Sequence, residues 1–343
     1  MRRVLVLLIA IALIAGACGD DDAEETTTSA GAEETTTTGA VTQEDEEFHI
    51  VVNFIGGAEI QFFAVVEKGV EAAGDDLVGV RAEYSSPQCC DINEQAASIR
   101  AIAAGEPDGL AIEFNDPAAL TEPTLEAMDQ GIAVILTNVQ VFDPTQTDPR
   151  IQALAYVGQN EFESGGKVAA LLEPHLPDWT EKIVCVNPGP GQIVQTIRCD
   201  GVAAYFEPLG IQVDTLVNEN TVPAEGIGVV GAYMSGNENV GGIVTLNPET
   251  MSFACSWIEQ NDASEVALGG YDLGPATIEC IDKGITKFSV VQQAFAQGYL
   301  SVVNLFMHLK YGMTPVDMNT GTASVNADNV DDFRGLVEAG IGG

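Results

Sequence analysis

Few side chains in this 343-residue sequence are arranged for covalent chemistry. There is no G-x-S-x-G turn to expose a serine nucleophile, no HExxH helix to hold zinc, and no Ser, His and Asp set at the ends of candidate strands. The three histidines, His49, His175 and His308, lie far apart and none has zinc-site spacing with a cysteine, so neither a metal nor a resident cofactor is expected. The 51 acidic side chains would furnish many carboxyl pairs of the kind that cleave glycosidic bonds, so counting alone decides nothing there. The turn Asn187-Pro188-Gly189-Pro190-Gly191 precedes a helical segment and offers backbone N–H groups to an anion. No Lys-Ser or Lys-Thr follows Gly191, which excludes a nucleotide P-loop. No catalytic residue is assigned.

Cysteine is the other reactive type, with seven copies. Cys89 and Cys90 are adjacent, and neighbouring Cα atoms lie about 3.8 Å apart, below the usual disulfide span of about 4.4–6.8 Å. A vicinal disulfide there is strained but rigid, with an apolar face suited to press against a ligand ring; free thiols and pairing with distant cysteines are the alternatives. Cys185 ends a strand-like run and Cys199 sits on the next helix, while Cys255 and Cys280 fall on two later helices. Those two pairs are the expected disulfides, against free buried thiols, and such bonds require an oxidising compartment.

The N-terminus points to that compartment. Arg2 and Arg3 precede an apolar stretch from Val4 to Ala15, too short to span a bilayer, and small residues lead to Cys18. Residues 1–17 therefore read as a cleaved export signal. Ala15-Gly16-Ala17-Cys18 resembles the lipobox of bacterial lipoproteins, in which the cysteine takes the lipid, although Ala15 stands where leucine is usual. The same residues make an A-x-A site for ordinary signal peptidase, so secretion without lipid is the alternative. Residues 18–47 carry eleven acids and two threonine runs, with no aromatic before Phe48, and read as a disordered tether.

The formal charge of -38, with only 13 basic residues, argues against nucleic acid or anionic lipid as partners. An acidic coat suits a saline habitat and serves solubility equally. From Phe48 onward, short apolar runs alternate with helical segments, the pattern of a mostly parallel sheet covered on both faces. His49–Phe54, Val78–Tyr84, Leu110–Phe114 and Ile132–Thr137 are strand candidates. After Asp91, Ile92, Ala96, Ile99 and Ala103 fall on one helical face. A second series begins near Tyr156 and runs through Lys182–Asn187, Ile211–Val217, Gly242–Leu246, Val266–Gly269 and Phe288–Val291. Two such α/β units imply two lobes, with ligand bound beyond the C-terminal ends of the strands.

In their order and spacing, several short motifs resemble type I periplasmic solute-binding proteins, specifically the ribose-binding-like sugar-binding components of bacterial ABC importers. They are Gln61-Phe62-Phe63 with Val66 and Gly69, Pro107-Asp108-Gly109-Leu110, Asn115-Asp116-Pro117, Gly131-Ile132 leading to Asn138, and Gly158 with Gly165-Gly166. Arg198 with Gly201, Asn247, Tyr271-Asp272, Gln293 with Gln297-Gly298-Tyr299, and Thr320-Gly321 complete the set. The resemblance implies two Rossmann-like lobes with parallel sheets, joined by a three-segment hinge: residues 48–147 with 294–318, and 148–293 with 319–343. It implies capture of a sugar or polyol, delivery to an ABC permease, a monomer held at the membrane by its N-terminal lipid alone, and no enzyme activity. An export signal stands where a repressor of the same fold would carry its DNA-binding headpiece.

By the same resemblance, the ligand contacts are Phe62, Phe63, Asn138, Arg198, Asn247, Asp272 and Gln293, with Cys89 and Cys90 at the rim. Planar polar groups for bidentate hydrogen bonds and an aromatic ring for stacking suit a neutral, hydroxyl-rich ligand. One of the two phenylalanines is expected in the core. Asn247 and Asp272 also fit helix caps, and Arg198 also fits an ion pair across its helix. Val139 and Thr196 stand where the ribose-binding pattern has arginines, which favours another sugar or a polyol over ribose. The competing readings are a sensor presenting a sugar, autoinducer or nucleoside to a receptor, and an exported glycoside-acting enzyme.

Overall fold

The computed structural model describes residues 47–342, apart from Cys89, residues 140–147 and Thr322. The export signal, Cys18, nearly all of the tether and the Cys89 half of the vicinal pair therefore lie outside the described residues.

The first unit runs β1 (Phe48–Asn53), α1 (Gln61–Asp76), β2 (Val80–Ser85), α2 (Ile92–Ala104), β3 (Gly109–Ile112), α3 (Pro117–Asp129), β4 (Ala133–Asn138) and β5 (Tyr156–Gly158). The second runs α4 (Glu161–Leu172), β6 (Lys182–Asn187), α5 (Ile193–Phe206), β7 (Gln212–Val217), α6 (Pro223–Gly236), β8 (Val240–Thr245), α7 (Pro248–Gln260), β9 (Ala267–Tyr271), α8 (Pro275–Asp282) and β10 (Thr286–Val291). The chain then returns to the first unit as α9 (Ala294–Tyr311) and β11 (Met318–Asn319), and ends in the second as β12 (Ala323–Val325) and α10 (Val330–Glu338).

Two six-stranded sheets result, in the orders β11-β5-β4-β3-β1-β2 and β12-β10-β9-β8-β6-β7. Every pairing is parallel except β10 with β12. Strands covered on both faces are apolar throughout: β3 and β8 are fully buried along their lengths. The helices begin where the strands end, with capping side chains. Asp91 accepts from Asn93 N at 2.8 Å, Asp116 from Ala118 N at 2.8 Å and Asn160 from Glu163 N at 3.1 Å.

The lobe boundaries differ from the sequence expectation. Tyr156–Gly158, read as the start of the second series, pairs with β4 and completes the first sheet, so the first crossing follows Gly158 instead of residue 147. Likewise Met318–Asn319 pairs with β5, which moves the last crossing beyond Asn319. Both strands are very short edge additions whose hydrophobic signal is too brief to assign to either unit.

Each lobe contains one pair of helices in direct backbone contact. A Cβ on Gly298 of α9 would lie 2.2 Å from the Val66 carbonyl oxygen of α1, and one on Gly201 of α5 would lie 2.2 Å from that of Phe162 on α4. The expected cysteine pairs meet: the sulfurs of Cys185 and Cys199 are 1.98 Å apart, and those of Cys255 and Cys280 2.08 Å.

Because backbone atoms cannot move aside as a side chain can, Gly298→Ala should force α9 from α1 and cost about 2–3 kcal/mol, seen as a lower urea midpoint. Gly228→Ala on α6, where an added Cβ meets nothing within 4 Å, should be neutral or stabilising in the same measurement.

Candidate functional site

The C-terminal ends of both sheets face one cleft of about 840 Å³. Its first wall comes from the start of α1 (Gln61, Phe62, Phe63), the turn at Cys90–Asn93, Glu113 after β3 and Asn138 at the end of β4. The opposite wall comes from the Gly-rich turn and α5 (Gln192, Gln195, Arg198), the loop at Asn218–Thr221, the start of α7 (Asn247), Asp272 after β9 and Gln292 after β10. Gln61 Nε2 donates to the Leu273 carbonyl at 3.0 Å and so ties the two walls together.

Arg198 organises the second wall. Its side chain is 3% exposed; Nε donates to Glu161 Oε2 at 2.6 Å and Nη2 to Gln292 Oε1 at 2.6 Å. The guanidinium carbon lies 4.4 Å from the centroid of the Tyr271 ring, whose hydroxyl is 2.9 Å from Ser164 Oγ. Burial alone would favour loss of the proton from Arg198, but Glu161 beside it more than offsets this and holds its pKa above the ordinary guanidinium value. Gln292 passes the order on, since its Nε2 donates to both oxygens of Asp272, at 2.9 and 3.0 Å. Burial pushes the Asp272 carboxyl up to about 6, against the lowering effects of Arg198 and Gln292.

Glu113 holds the corresponding place on the first wall. Its carbonyl accepts from Gln95 Nε2 of α2 at 2.9 Å, and its carboxyl takes Ile55 N at 2.8 Å on Oε2. The Asn138 amide lies 2.5 Å from Oε1. Burial raises this carboxyl to about 7 in spite of those bonds. Asn138 and Asp272 adopt left-handed backbone angles, φ 55° and 65°, that turn each side chain off the end of its strand. Asn and Asp tolerate this region better than most residues.

Of the residues expected at the site, Phe62, Phe63, Cys90, Asn138, Arg198, Asn247 and Asp272 line the cleft. Phe63 is buried and packs edge-on against Phe54 and Phe62, leaving half-buried Phe62 as the aromatic surface. Asn247 combines both of its expected roles, because its Oδ1 caps α7 by accepting from Thr250 N at 2.9 Å. Arg198 likewise makes its ion pair and faces the cleft. Gln293 is not in the cleft wall: its left-handed backbone, φ 58°, turns the side chain to the Thr320 carbonyl in the hinge, and its neighbour Gln292 faces the site.

Sequence reading missed Glu113, Glu161, Gln195 and Gln292. Glu113 carried a usable signal, a carboxylate one residue beyond the buried strand Gly109–Ile112. Among the described residues no group of His, Cys, Asp and Glu is placed to hold a metal, and no helix is long and apolar enough to cross a membrane. The site offers fixed hydrogen-bonding groups and an aromatic face in a partly open cleft, an arrangement for holding a small polar molecule.

The family model of the periplasmic binding protein domain matches residues 51–313. The xylose/arabinose-binding protein XylF of Sulfolobus acidocaldarius is 22% identical over 287 residues, covering 79% of this chain and 69% of its own length. A carbohydrate transporter of Acidothermus cellulolyticus 11B, solved with myo-inositol, superposes with a TM-score of 0.75 at 22% identity, over 86% of this chain and 99% of that one. A solute-binding protein of a Burkholderia graminis ABC transporter, solved with D-arabinose, gives 0.73 at 20% identity, over 84% and 98%. With a family match across most of the chain and the same two-lobed fold in these proteins, the chain belongs to the periplasmic binding protein domain family.

Proposed function

We propose that this protein is the extracytoplasmic solute-binding component of an ABC importer, that it captures a neutral sugar or polyol between its lobes, and that it hands the ligand to a membrane permease. The observation that carries this reading is the composition of the cleft. Planar polar side chains from both lobes, Asn138, Asn247, Asp272 and Gln195, converge on one space with Phe62 at its edge. Hydroxyls both donate and accept, so they match amides and carboxylates, while the C–H face of a sugar ring matches a phenyl ring. The relatives that bind xylose, arabinose or myo-inositol support the same ligand class. Capture needs closure and release but no bond-making, which agrees with a site assembled on a hinge. Cys90 borders the cleft, and a vicinal disulfide with Cys89 would add a rigid apolar surface at its rim. The N-terminal leader and acidic tether suit a monomer anchored by a lipid on Cys18.

Asp272→Ala should weaken binding by roughly tenfold to a hundredfold, since an unmatched polar group in a closed cleft costs about 1–3 kcal/mol. The binding reading requires that a thermal-shift panel of pentoses, hexoses and polyols raise the melting temperature of the wild type for at least one compound, and that Asp272→Ala blunt the shift while melting near wild type when ligand-free. A flat panel would sink the ligand class. Unchanged affinity with a large loss of ligand-free stability would make Asp272 a structural residue.

Lipidation has its own check. Native protein should partition into detergent, and Cys18→Ala should release it. An unmodified Cys18 at the mature N-terminus, found by mass spectrometry, would leave the chain secreted without an anchor.

A further inference from the structure

Helix α1 belongs wholly to the first lobe. An added Cβ on Gly69 would strike the Phe295 carbonyl of α9, so the two helices are in backbone contact and move as one body. Helix α10 belongs as firmly to the second lobe. Val330 and Val337 are buried together with Ile278 and Ile281 of α8, and Arg334 donates through Nη1 and Nη2 to the Asp282 carboxylate of α8 at 3.1 and 3.0 Å. Contacts from α1 to this part of the second lobe therefore fix how the lobes meet.

Two such hydrogen bonds leave one face of α1. Gln61 Nε2 reaches the Leu273 carbonyl at 3.0 Å, and Lys68 Nζ donates to the Ala339 carbonyl at 2.9 Å. The donors are seven residues apart, two helical turns, which sets them in line about 10 Å from each other. A single contact would let the lobes pivot about it; two in line fix the direction of the helix against the other lobe. Lys68 is exposed and is no part of the cleft wall. Its acceptor is well placed for a cation, because Ala339 caps the C-terminus of α10, where the last carbonyls lack partners within the helix and form the negative end of its dipole. The next residue, Gly340, turns the chain with a left-handed φ of 68°, and a Cβ there would collide with Lys68 Nζ. Glycine at this position serves the turn and leaves room for the ammonium.

We propose that the face of α1 carrying Gln61 and Lys68 is a latch that holds the cleft closed, and that Lys68 is a positioning residue which raises ligand affinity without touching the ligand. The proposal rests on the ligand-binding reading of the site and adds to it how closure is held. Opening the lobes parts α1 from α8 and α10 and returns both donors to water. Each bond therefore favours the closed arrangement alone. Ligand binds that arrangement, so its apparent affinity rises with the closed fraction.

Three variants of the full chain test this. Lys68→Met keeps the stem and removes the donors, Lys68→Glu sets a negative group against the same carbonyl, and Lys68→Arg restores a cation. In solution scattering without ligand, the radius of gyration should rise in Lys68→Met, rise further in Lys68→Glu and return towards wild type in Lys68→Arg. The ligand-free melting temperature should stay at its wild-type value, because an exposed side chain supports little packing. In calorimetry with myo-inositol and D-arabinose as probes, Lys68→Met should bind roughly twofold to fivefold more weakly, the ordinary weight of one exposed charged contact. A ligand-free radius that is the same in wild type, Lys68→Met and Lys68→Glu overturns the proposal. So does unchanged affinity in Lys68→Met, and so does lower melting with an unchanged radius, which would make Lys68 a structural residue. Silence from both probes on the wild type tells against the sugar reading, and the ligand-free radius still decides the latch.

Discussion

The second wall of the cleft depends on one buried cation. Arg198 is nearly sealed from water, and a guanidinium in that position must be matched on several sides. Glu161 supplies the charge, Gln292 an acceptor and Tyr271 an aromatic face, from α4, the end of β10 and β9 respectively. Three separately folded elements are thus held to one point on α5. Through Gln292 the arrangement reaches Asp272, whose two oxygens are already oriented by N–H bonds. Removing the guanidinium would leave Glu161 as an uncompensated buried carboxylate, so this wall stands or falls together.

Parallel sheets explain why the polar groups gather where they do. The parallel strands of one unit end on the same side, the central ones are buried on both faces, and the polar side chains of the site leave the sheet at or past the last residue. Glu113, Asn138, Asp272 and Gln292 all lie at or just beyond strand ends. Left-handed backbone at Asn138 and Asp272 is the local device that turns them into the cleft, and at Gln293 it turns a side chain away. Backbone conformations of this kind have a cost and persist only where the surroundings hold them in place. At Asp272 the surroundings are visible: its N–H bonds the Val290 carbonyl at 2.7 Å, and Ser289 Oγ bonds its own carbonyl at 2.7 Å.

Much of this was legible in the sequence, for identifiable reasons. Long buried strands such as Lys182–Asn187 announce themselves by continuous apolar runs, whereas the cysteines left free thiols open beside the pairs Cys185 with Cys199 and Cys255 with Cys280, which only the folded elements bring together. Asn138, Asn247 and Asp272 were reachable because each follows a recognisable strand. The three-residue β5 was assigned to the wrong unit, because edge strands that short carry no periodicity. The resemblance points to Gln293 and not to its neighbour Gln292, because a single left-handed residue inverts which side chain faces the site and no propensity distinguishes two consecutive glutamines. Glu161 was invisible as a partner of Arg198, since their 37-residue separation is bridged only by the contact of α4 with α5.

The two walls are also constrained by more than one means. In the second lobe Cys185–Cys199 joins α5 to β6 and Cys255–Cys280 joins α7 to α8, so both helices that line the cleft there, α5 and α7, are tied covalently as well as packed. The first wall includes Cys90, itself disulfide-bonded, and adds hydrogen bonds such as Gln95 to the Glu113 carbonyl and the packing of Phe63 against Phe54. Groups already fixed before a ligand arrives lose little further freedom on binding, so disulfides, buried hydrogen bonds and aromatic packing together preorganise the site from both sides.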